Sequence, residues 1–226
     1  MPLDEVLRKA GAVFSLRSER PTVVNYGSAA AELAVCISAV GLVDRSRLRA
    51  IVLQAPPSEL DRIARRLVGG TVAAGGALQA GAAWWCGLSS DCALVLAEPV
   101  LARQIRDRLG RIAVNHAAFR TLDVSDAWAA VELIGRRVGE VLGALGVYGP
   151  SGDSRAVPPF TERKLEGIDT HWLLESGRRA LALIPRERAG EWWRAIELAG
   201  RPFGISCVGS EAACRYALLE RGRAPA

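Results

Sequence analysis

Two stretches of the chain, AAWWCGLSSDCALVLAEPVLARQIRDRL at residues 82–109 and DTHWLLESGRRALALIPRERAGEWWRAI at residues 169–196, follow the same pattern. With Trp85 aligned to Trp172, each contains an apolar strand, a polar turn, a second apolar strand, a break at proline and an amphipathic helix. We therefore predict that a β-α-β-β-α unit of about 60 residues occurs twice. Two such units must face each other to bury their sheets, and the seam between them is where we expect a ligand.

The rest of the chain alternates between strands and helices in the same way. A related strand–helix pair precedes each copy, at 51–67 and 131–145, and Ser28 is the expected N-cap of a helix at 29–38. Further helices are predicted at 60–67, 99–109, 186–200 and 210–221, strands at 48–54, 71–73 and 203–209, and hairpins at 82–97 and 170–184. The alternation, with hairpins embedded in it, predicts an α+β fold with mixed and antiparallel sheets and helices on one face.

Composition indicates a globular protein. The chain has 226 residues, of which 50% are apolar and 23% are charged, so it can bury a sizeable core. No apolar run approaches the roughly 20 residues that a membrane helix needs, and the first 20 residues lack the pattern of a secretory signal. We therefore expect a cytoplasmic protein that does not bind membranes.

Charge and cysteine content exclude several kinds of site. The net charge is +5, but the arginines are scattered over predicted helix faces, so we expect no nucleic-acid partner. An odd number of cysteines, five at irregular spacing, favours reduced thiols over disulfides. With only His116 and His171 and no Cys-x-x-Cys pair, we expect no metal site.

Several segments resemble the folate-binding domain of the glycine-cleavage T-protein (aminomethyltransferase) superfamily. The similar segments are Tyr26-Gly27 with Glu32 and 39–46 at the family's opening, 123–135 at its second-half entry strand, and 213–222 at its closing helix. The hairpin 84–99 and the region 123–199 are closer to the gamma subunit of heterotetrameric sarcosine oxidase, a shorter member of the same superfamily. The resemblance spans about residues 24–222.

The resemblance implies two pseudo-symmetric α+β units around a central channel. In the T-proteins that channel binds tetrahydrofolate, and a one-carbon unit is transferred from an aminomethyl donor. For this chain the resemblance implies a domain at 25–222, with halves at about 25–118 and 119–222, after a lead-in at 1–24 and before a tail at 223–226. Tetrahydrofolate is accordingly the one cofactor that we consider.

The resemblance also implies where a ligand would bind. The predicted ligand-binding residues are Trp84, Trp85, Leu48, Leu181 and Cys214. Leu181 stands where the family has its pterin-binding glutamate, and Cys214 and Leu218 stand where it has arginines. A leucine cannot accept the hydrogen bonds of a carboxylate, which are worth about 1–3 kcal/mol. The family's own catalytic residues are therefore largely absent, and we expect Cys86 and Cys214 to be buried, inert thiols.

Three residues are the candidates for a catalytic role. His171 titrates near neutral pH and lies on a hairpin strand. Asp123 stands at an entry position equivalent to Asp44, where an aspartate more often fixes a turn through backbone hydrogen bonds. Glu220 keeps its place in the family's closing motif, where a structural ion pair is an equal alternative.

These observations leave three functional hypotheses open. The first is an enzyme of the transferase type that acts on a small organic molecule, with or without a folate carrier. The second is a non-catalytic subunit that, like the sarcosine oxidase gamma chain, supports a larger flavoenzyme through an exposed apolar surface. The third is a solitary binding or repair-accessory module of the folate-binding class. A small-molecule ligand is common to the first and third, and a partner protein or a second copy of this chain is possible throughout.

Overall fold

A computed structural model describes residues 3–15, 21–114, 117–148 and 159–222. Within these ranges the helices are α1 (Asp4–Lys9), α2 (Ala29–Ser38), α3 (Pro57–Val68), α4 (Pro99–Ala113), α5 (Val138–Ala144), α6 (Ala189–Gly200) and α7 (Ser210–Arg221). The strands are β1 (Val13–Ser15), β2 (Thr22–Asn25), β3 (Val40–Asp44), β4 (Arg49–Gln54), β5 (Ala77–Ala80), β6 (Ala83–Gly87), β7 (Cys92–Ala97), β8 (Arg120–Asp123), β9 (Trp128–Ile134), β10 (Phe160–Leu165), β11 (Ile168–Ser176), β12 (Arg179–Pro185) and β13 (Ile205–Cys207). His116 and the expected tail at 223–226 lie outside the described residues.

The chain divides into two compact units. The first unit holds the described residues of 1–46, 129–157 and 162–226, and the second holds 47–128 and the described residues of 158–161. The two units are defined by contacts in the structure, whereas the halves at about 25–118 and 119–222 are defined by the sequence repeat. The division into these halves stays a prediction.

The first unit is built on a six-stranded sheet with the order β10-β11-β12-β9-β3-β13. The short strand β13 runs parallel to β3, and β3 runs antiparallel to β9. Helices α5 and α6 pack on one face of this sheet, where the fully buried rings of Trp172, Trp192 and Trp193 form the centre of the core. These three tryptophans therefore have a packing role. Helices α2 and α7 pack together around Cys36 and Tyr216.

The second unit is built on a five-stranded antiparallel sheet with the order β5-β6-β7-β4-β8. Helices α3 and α4 cover one face, because the stripe of Leu60, Ile63 and Ala64 on α3 meets Trp85 and Val95 of the sheet. Each helix starts with proline in its first turn, where the missing N–H costs nothing.

Each unit contains the same turn at the end of a strand. After β3, the Oδ1 atom of Asp44 accepts a hydrogen bond from the backbone N–H of Ser46, and the Ser46 hydroxyl reaches the carbonyl of Ala130. After β8, Asp123 accepts the same bond from Ser125, whose hydroxyl accepts a bond from the N–H of Ala50. The two aspartates thus fix equivalent turns, as the more common role of such residues predicts.

Two details of the sequence interpretation are wrong. The expected strand at 71–73 is irregular, with a single bridge between Ala74 and Gly87, because the glycine pairs on either side favour turns. The strand that pairs with β6 is β5 instead. Helix α4 continues to Ala113, four residues beyond the expected end at 109, because its apolar face extends through Ile112 and Ala113.

Candidate functional site

A chain of alternating charges lies in the first unit, and we call it the charge cluster: Glu175, Arg179, Glu132 and Arg45. The Nη1 atom of Arg179 lies 3.8 Å from Glu175 Oε2, and its Nε lies 3.2 Å from Glu132 Oε1. The other Glu132 oxygen lies 3.6 Å from Nε of Arg45. The Glu132 side chain is only 6% exposed, whereas those of Glu175, Arg179 and Arg45 are 18%, 24% and 34% exposed, so Glu132 is the charge most removed from water.

Strand geometry places these side chains together. Successive side chains of a strand point to opposite faces, and Val131 and Leu133 of β9 point into the tryptophan-rich core. Glu132 therefore points to the opposite face. Arg179 does the same on β12, because Ala180 and Ala182 belong to that core. The salt bridge between Glu132 and Arg179 follows from this shared face.

One donor of the cluster is not satisfied. The Nε–H of Arg179 is buried and makes no hydrogen bond in the described part of the chain, although its Nε atom lies 3.2 Å from Glu132 Oε1. A buried donor without a partner costs about 1–3 kcal/mol. An acceptor atom supplied by a bound molecule would recover that cost.

The environment of Glu175 makes it a proton-handling group near neutral pH. Burial is the largest cause that raises the pKa of Glu175 to about 7; the negative charges of Glu132 and Glu220 act in the same direction, and the positive charges of Arg179 and Arg45 oppose them. Carboxyl groups tuned to this range can donate and accept protons at neutral pH. Glu220, on α7, also raises the pKa of Tyr216, after the larger effect of burial.

We predict a pH-dependent stability that Glu175→Gln removes. Because the pKa of Glu175 is raised from 4.5 to about 7 on folding, the folded state binds the proton more tightly than the unfolded state. The free energy of unfolding should therefore fall as pH rises from about 4.5 to about 7, by up to about 3 kcal/mol. Glu175→Gln should lack this fall and be the more stable protein at about pH 8. Urea unfolding at several pH values measures it, and equal pH profiles for the two proteins would contradict it.

Two predicted residues lie on the face of the charge cluster. Leu181 follows Arg179 by two positions on β12 and therefore shares its face, where it is buried. His171 pairs with Leu183 on the same face of the hairpin. Burial lowers the pKa of His171, against the opposing charges of Glu162 and Asp169. A third predicted residue, Glu220, approaches the cluster from α7.

The remaining predicted residues lie elsewhere. Trp85 is buried under α3 and α4, whereas Trp84 points to the opposite face of the second unit's sheet, between Gln79 and Leu96. Leu48 is half-buried before β4, and Asp123 lies 3.6 Å from Arg106 as well as fixing its turn. The expectation that Cys214 is a buried thiol is wrong, because α7 buries the stripe of Ala212, Ala213 and Tyr216 and leaves Cys214 exposed. Cys86 is buried as expected.

The sequence interpretation did not identify the charge cluster. Glu132 stands alone in the apolar run AAVELI, and a single carboxylate in such a strand is the signal that could have drawn attention to it. Its partners are 47 and 87 positions away, on strands whose pairing no local pattern specifies.

The described residues contain neither a metal-binding cluster nor a membrane-spanning helix. No group of three or more histidine, cysteine or acidic side chains there is arranged to hold a metal ion. In the same ranges, no helix combines the length and the apolar character that crossing a membrane requires.

Comparison with known proteins identifies the fold. No protein-family model matches the sequence, and no curated protein matches it. Aminomethyltransferase T of the glycine cleavage system from Bartonella henselae superposes with a TM-score of 0.70 and 16% identity, over 94% of this chain and 60% of that one. A chain of heterotetrameric sarcosine oxidase from Corynebacterium sp. U-96, solved with pyrrole 2-carboxylate, superposes with a TM-score of 0.60 and 19% identity, over 80% of this chain and 95% of that one. The chain therefore has the α+β fold of aminomethyltransferase T, as its sequence resemblance predicts, and it spans about 60% of that protein's length.

Proposed function

We propose that this protein binds a small organic ligand at the charge cluster and that it is an aminomethyltransferase-like enzyme of one-carbon chemistry, with tetrahydrofolate as the ligand to test first. The observation that carries the proposal is the buried Nε–H of Arg179, which lacks an acceptor beside two carboxylates. Buried polar groups without partners are rare in folded proteins and are frequently completed by a ligand or water. The fold supplies the link to aminomethyl transfer.

The cluster offers distinct roles to its members. Arg179 presents a guanidinium N–H that suits a carboxylate or carbonyl oxygen of a ligand. Glu175, whose pKa lies at about 7, can accept or return a proton at neutral pH. Leu181 contributes an apolar wall on the same face, so this chain would recognise a ligand by charge on one side and by shape on the other.

The test is a titration of the protein with tetrahydrofolate, in which binding is measured both by calorimetry and by tryptophan fluorescence. We expect binding in the wild-type protein and at least about threefold weaker or stronger binding in Glu175→Gln, because one charge next to the ligand changes. Glu140→Gln is the matched control, since Glu140 is an exposed glutamate that pairs with Arg137 on α5. No change at millimolar tetrahydrofolate would exclude the folate proposal, and equal affinities of wild type and Glu175→Gln would exclude the charge cluster as its site.

A second candidate is a non-catalytic subunit of a larger flavoenzyme, similar to the sarcosine oxidase gamma chain. Two observations favour it: this chain covers 95% of the sarcosine oxidase chain, and apolar side chains of α2 and α7 are exposed. Those side chains are Ile37, Leu218 and Leu219, with exposures of 42%, 61% and 42%. Co-purification of a flavin-containing protein from the native source would support this function, provided that Leu218→Glu abolishes it, and a protein that purifies without one would contradict it.

A further inference from the structure

A small apolar cavity opens between the two helices of the second unit. It lies between the end of α3, the start of α4 and the β5–β6 hairpin, and its volume is about 100 Å³. The side chains that line it include Leu67, Ala83, Trp85, Leu101, Ile105 and Arg108. Arg108 is the one charged residue among them.

The cavity exists because small residues stand where the hairpin passes under the helices. Ala80 and Ala83 line it from the ends of β5 and β6, next to the large ring of Trp85. Trp85 is 3% exposed and belongs to the core beneath α3 and α4, so its ring is held in place as part of the cavity wall. An apolar space of this kind, with a rigid aromatic wall, suits an apolar group of a ligand.

The surroundings of the cavity favour an anion. Helices α3 and α4 together carry seven arginines and three acidic residues. Some of this charge is neutralised, since Arg62 pairs with Glu59 and Arg106 with Asp123. Arg108 is exposed at the cavity and makes no ion pair within the described ranges, so its guanidinium is available to a carboxylate.

We propose that this cavity binds a short branched aliphatic carboxylate, with the branched end against Trp85 and the carboxylate on Arg108. Volume limits the size of the ligand: an apolar protein cavity of about 150 Å³ accommodates benzene, so about 100 Å³ suits a smaller apolar body such as a branched alkyl group of four or five carbons. Isovalerate has this size and charge. With only seven non-hydrogen atoms, its Kd should be roughly millimolar.

Calorimetric titration of the full chain with isovalerate tests the proposal. Isovaleramide has nearly the same shape without the charge, and acetate has the charge without the branched body. We expect both to bind at least about threefold more weakly than isovalerate. Arg108→Gln should weaken isovalerate binding to a similar extent, whereas Arg103→Gln, on the same helix but away from the cavity, should leave it unchanged.

The outcomes separate the proposal from general attraction to a basic surface. Loss of binding in Arg108→Gln with retention in Arg103→Gln supports it, as does quenching of tryptophan fluorescence by isovalerate but not by acetate. No binding at about ten millimolar isovalerate, equal binding of acetate, or an equal effect of the two arginine variants would overturn it. Both arginines are exposed, so neither variant is expected to unfold the protein.

Discussion

Glu132→Gln is expected to lower the free energy of unfolding by about 3 kcal/mol, the lower end of the range for buried pairs, because its two arginine partners are 24% and 34% exposed. The Glu132 carboxylate, 6% exposed, lies within ion-pair distance of both Arg45 and Arg179. Glutamine has the same shape but no charge, so Arg179 would keep only the weaker pairing with Glu175 at 3.8 Å, and both arginines would lose the carboxylate that separates their positive charges. Breaking a buried ion pair on one side costs more than the pair contributes, because the uncompensated charge stays buried.

Urea unfolding of the two proteins at about pH 8 measures this loss. Glu140→Gln is the matched control: Glu140 forms an ion pair with Arg137 in which the two side chains are 51% and 35% exposed. Exposed pairs contribute about 0–1 kcal/mol, so the control should unfold almost as the wild type does. A Glu132→Gln protein as stable as the Glu140→Gln protein would mean that water reaches the charge cluster freely.

Glu32→Ala is expected to destabilise the first unit by about 3 kcal/mol or more. Glu32 lies on α2 and is 6% exposed, yet both of its carboxylate oxygens are used. One accepts the backbone N–H of Tyr26 at 2.6 Å, and the other accepts the N–H of Gly209 at 2.8 Å. Alanine would remove the acceptor of one half-buried donor, at Tyr26, and of one buried donor, at Gly209, which is the N-cap of α7.

Loss of these hydrogen bonds should also disturb the candidate site, because Glu32 holds the start of α7, the helix that carries Glu220. Gly209 packs closely against β2, since a side chain there would overlap with the carbonyl of Val24. Chemical denaturation compares Glu32→Ala with Glu191→Ala, a glutamate of α6 that is 57% exposed and pairs only with Arg188 among the described residues. If both variants lose the same stability, the carboxylate of Glu32 does not hold the start of α7. Glu32→Gln should recover part of the loss, because its amide oxygen can still accept one bond.

Local patterns predicted most of the secondary structure. Helix α2 is found with Ser28 as its N-cap, accepting a hydrogen bond from the N–H of Ala31 as expected. The hairpins β6–β7 and β11–β12 and the last helix also lie where strand alternation and helical spacing place them. These elements depend on residues that are close in sequence. The prediction of a strand at 71–73 was wrong because glycine-rich segments contain little periodic information.

The candidate site was less predictable than the fold. The resemblance to aminomethyltransferases predicted Glu220 and Leu181 as site residues. Leu181 lies on the face of the charge cluster, and Glu220 of α7 interacts electrostatically with Glu175 of that cluster. The cluster itself depends on Glu132, Arg179 and Arg45 meeting across three strands, which only long-range pairing brings together. Exposure of Cys214 likewise depends on which stripe of α7 is buried, and that stripe is defined by the packing of α7 against α2.

The interleaving of the two units has a consequence for synthesis on the ribosome. Residues 47–128 of the second unit form one continuous segment, whereas the strands that pair with β3 of the first unit among the described residues, β9 and β13, come later in the chain. Chains emerge from the N-terminus and begin to fold in that order. The five-stranded sheet can therefore form before the strands that pair with β3 have been synthesised. The charge cluster can form only after β12 has emerged, because that strand carries Arg179.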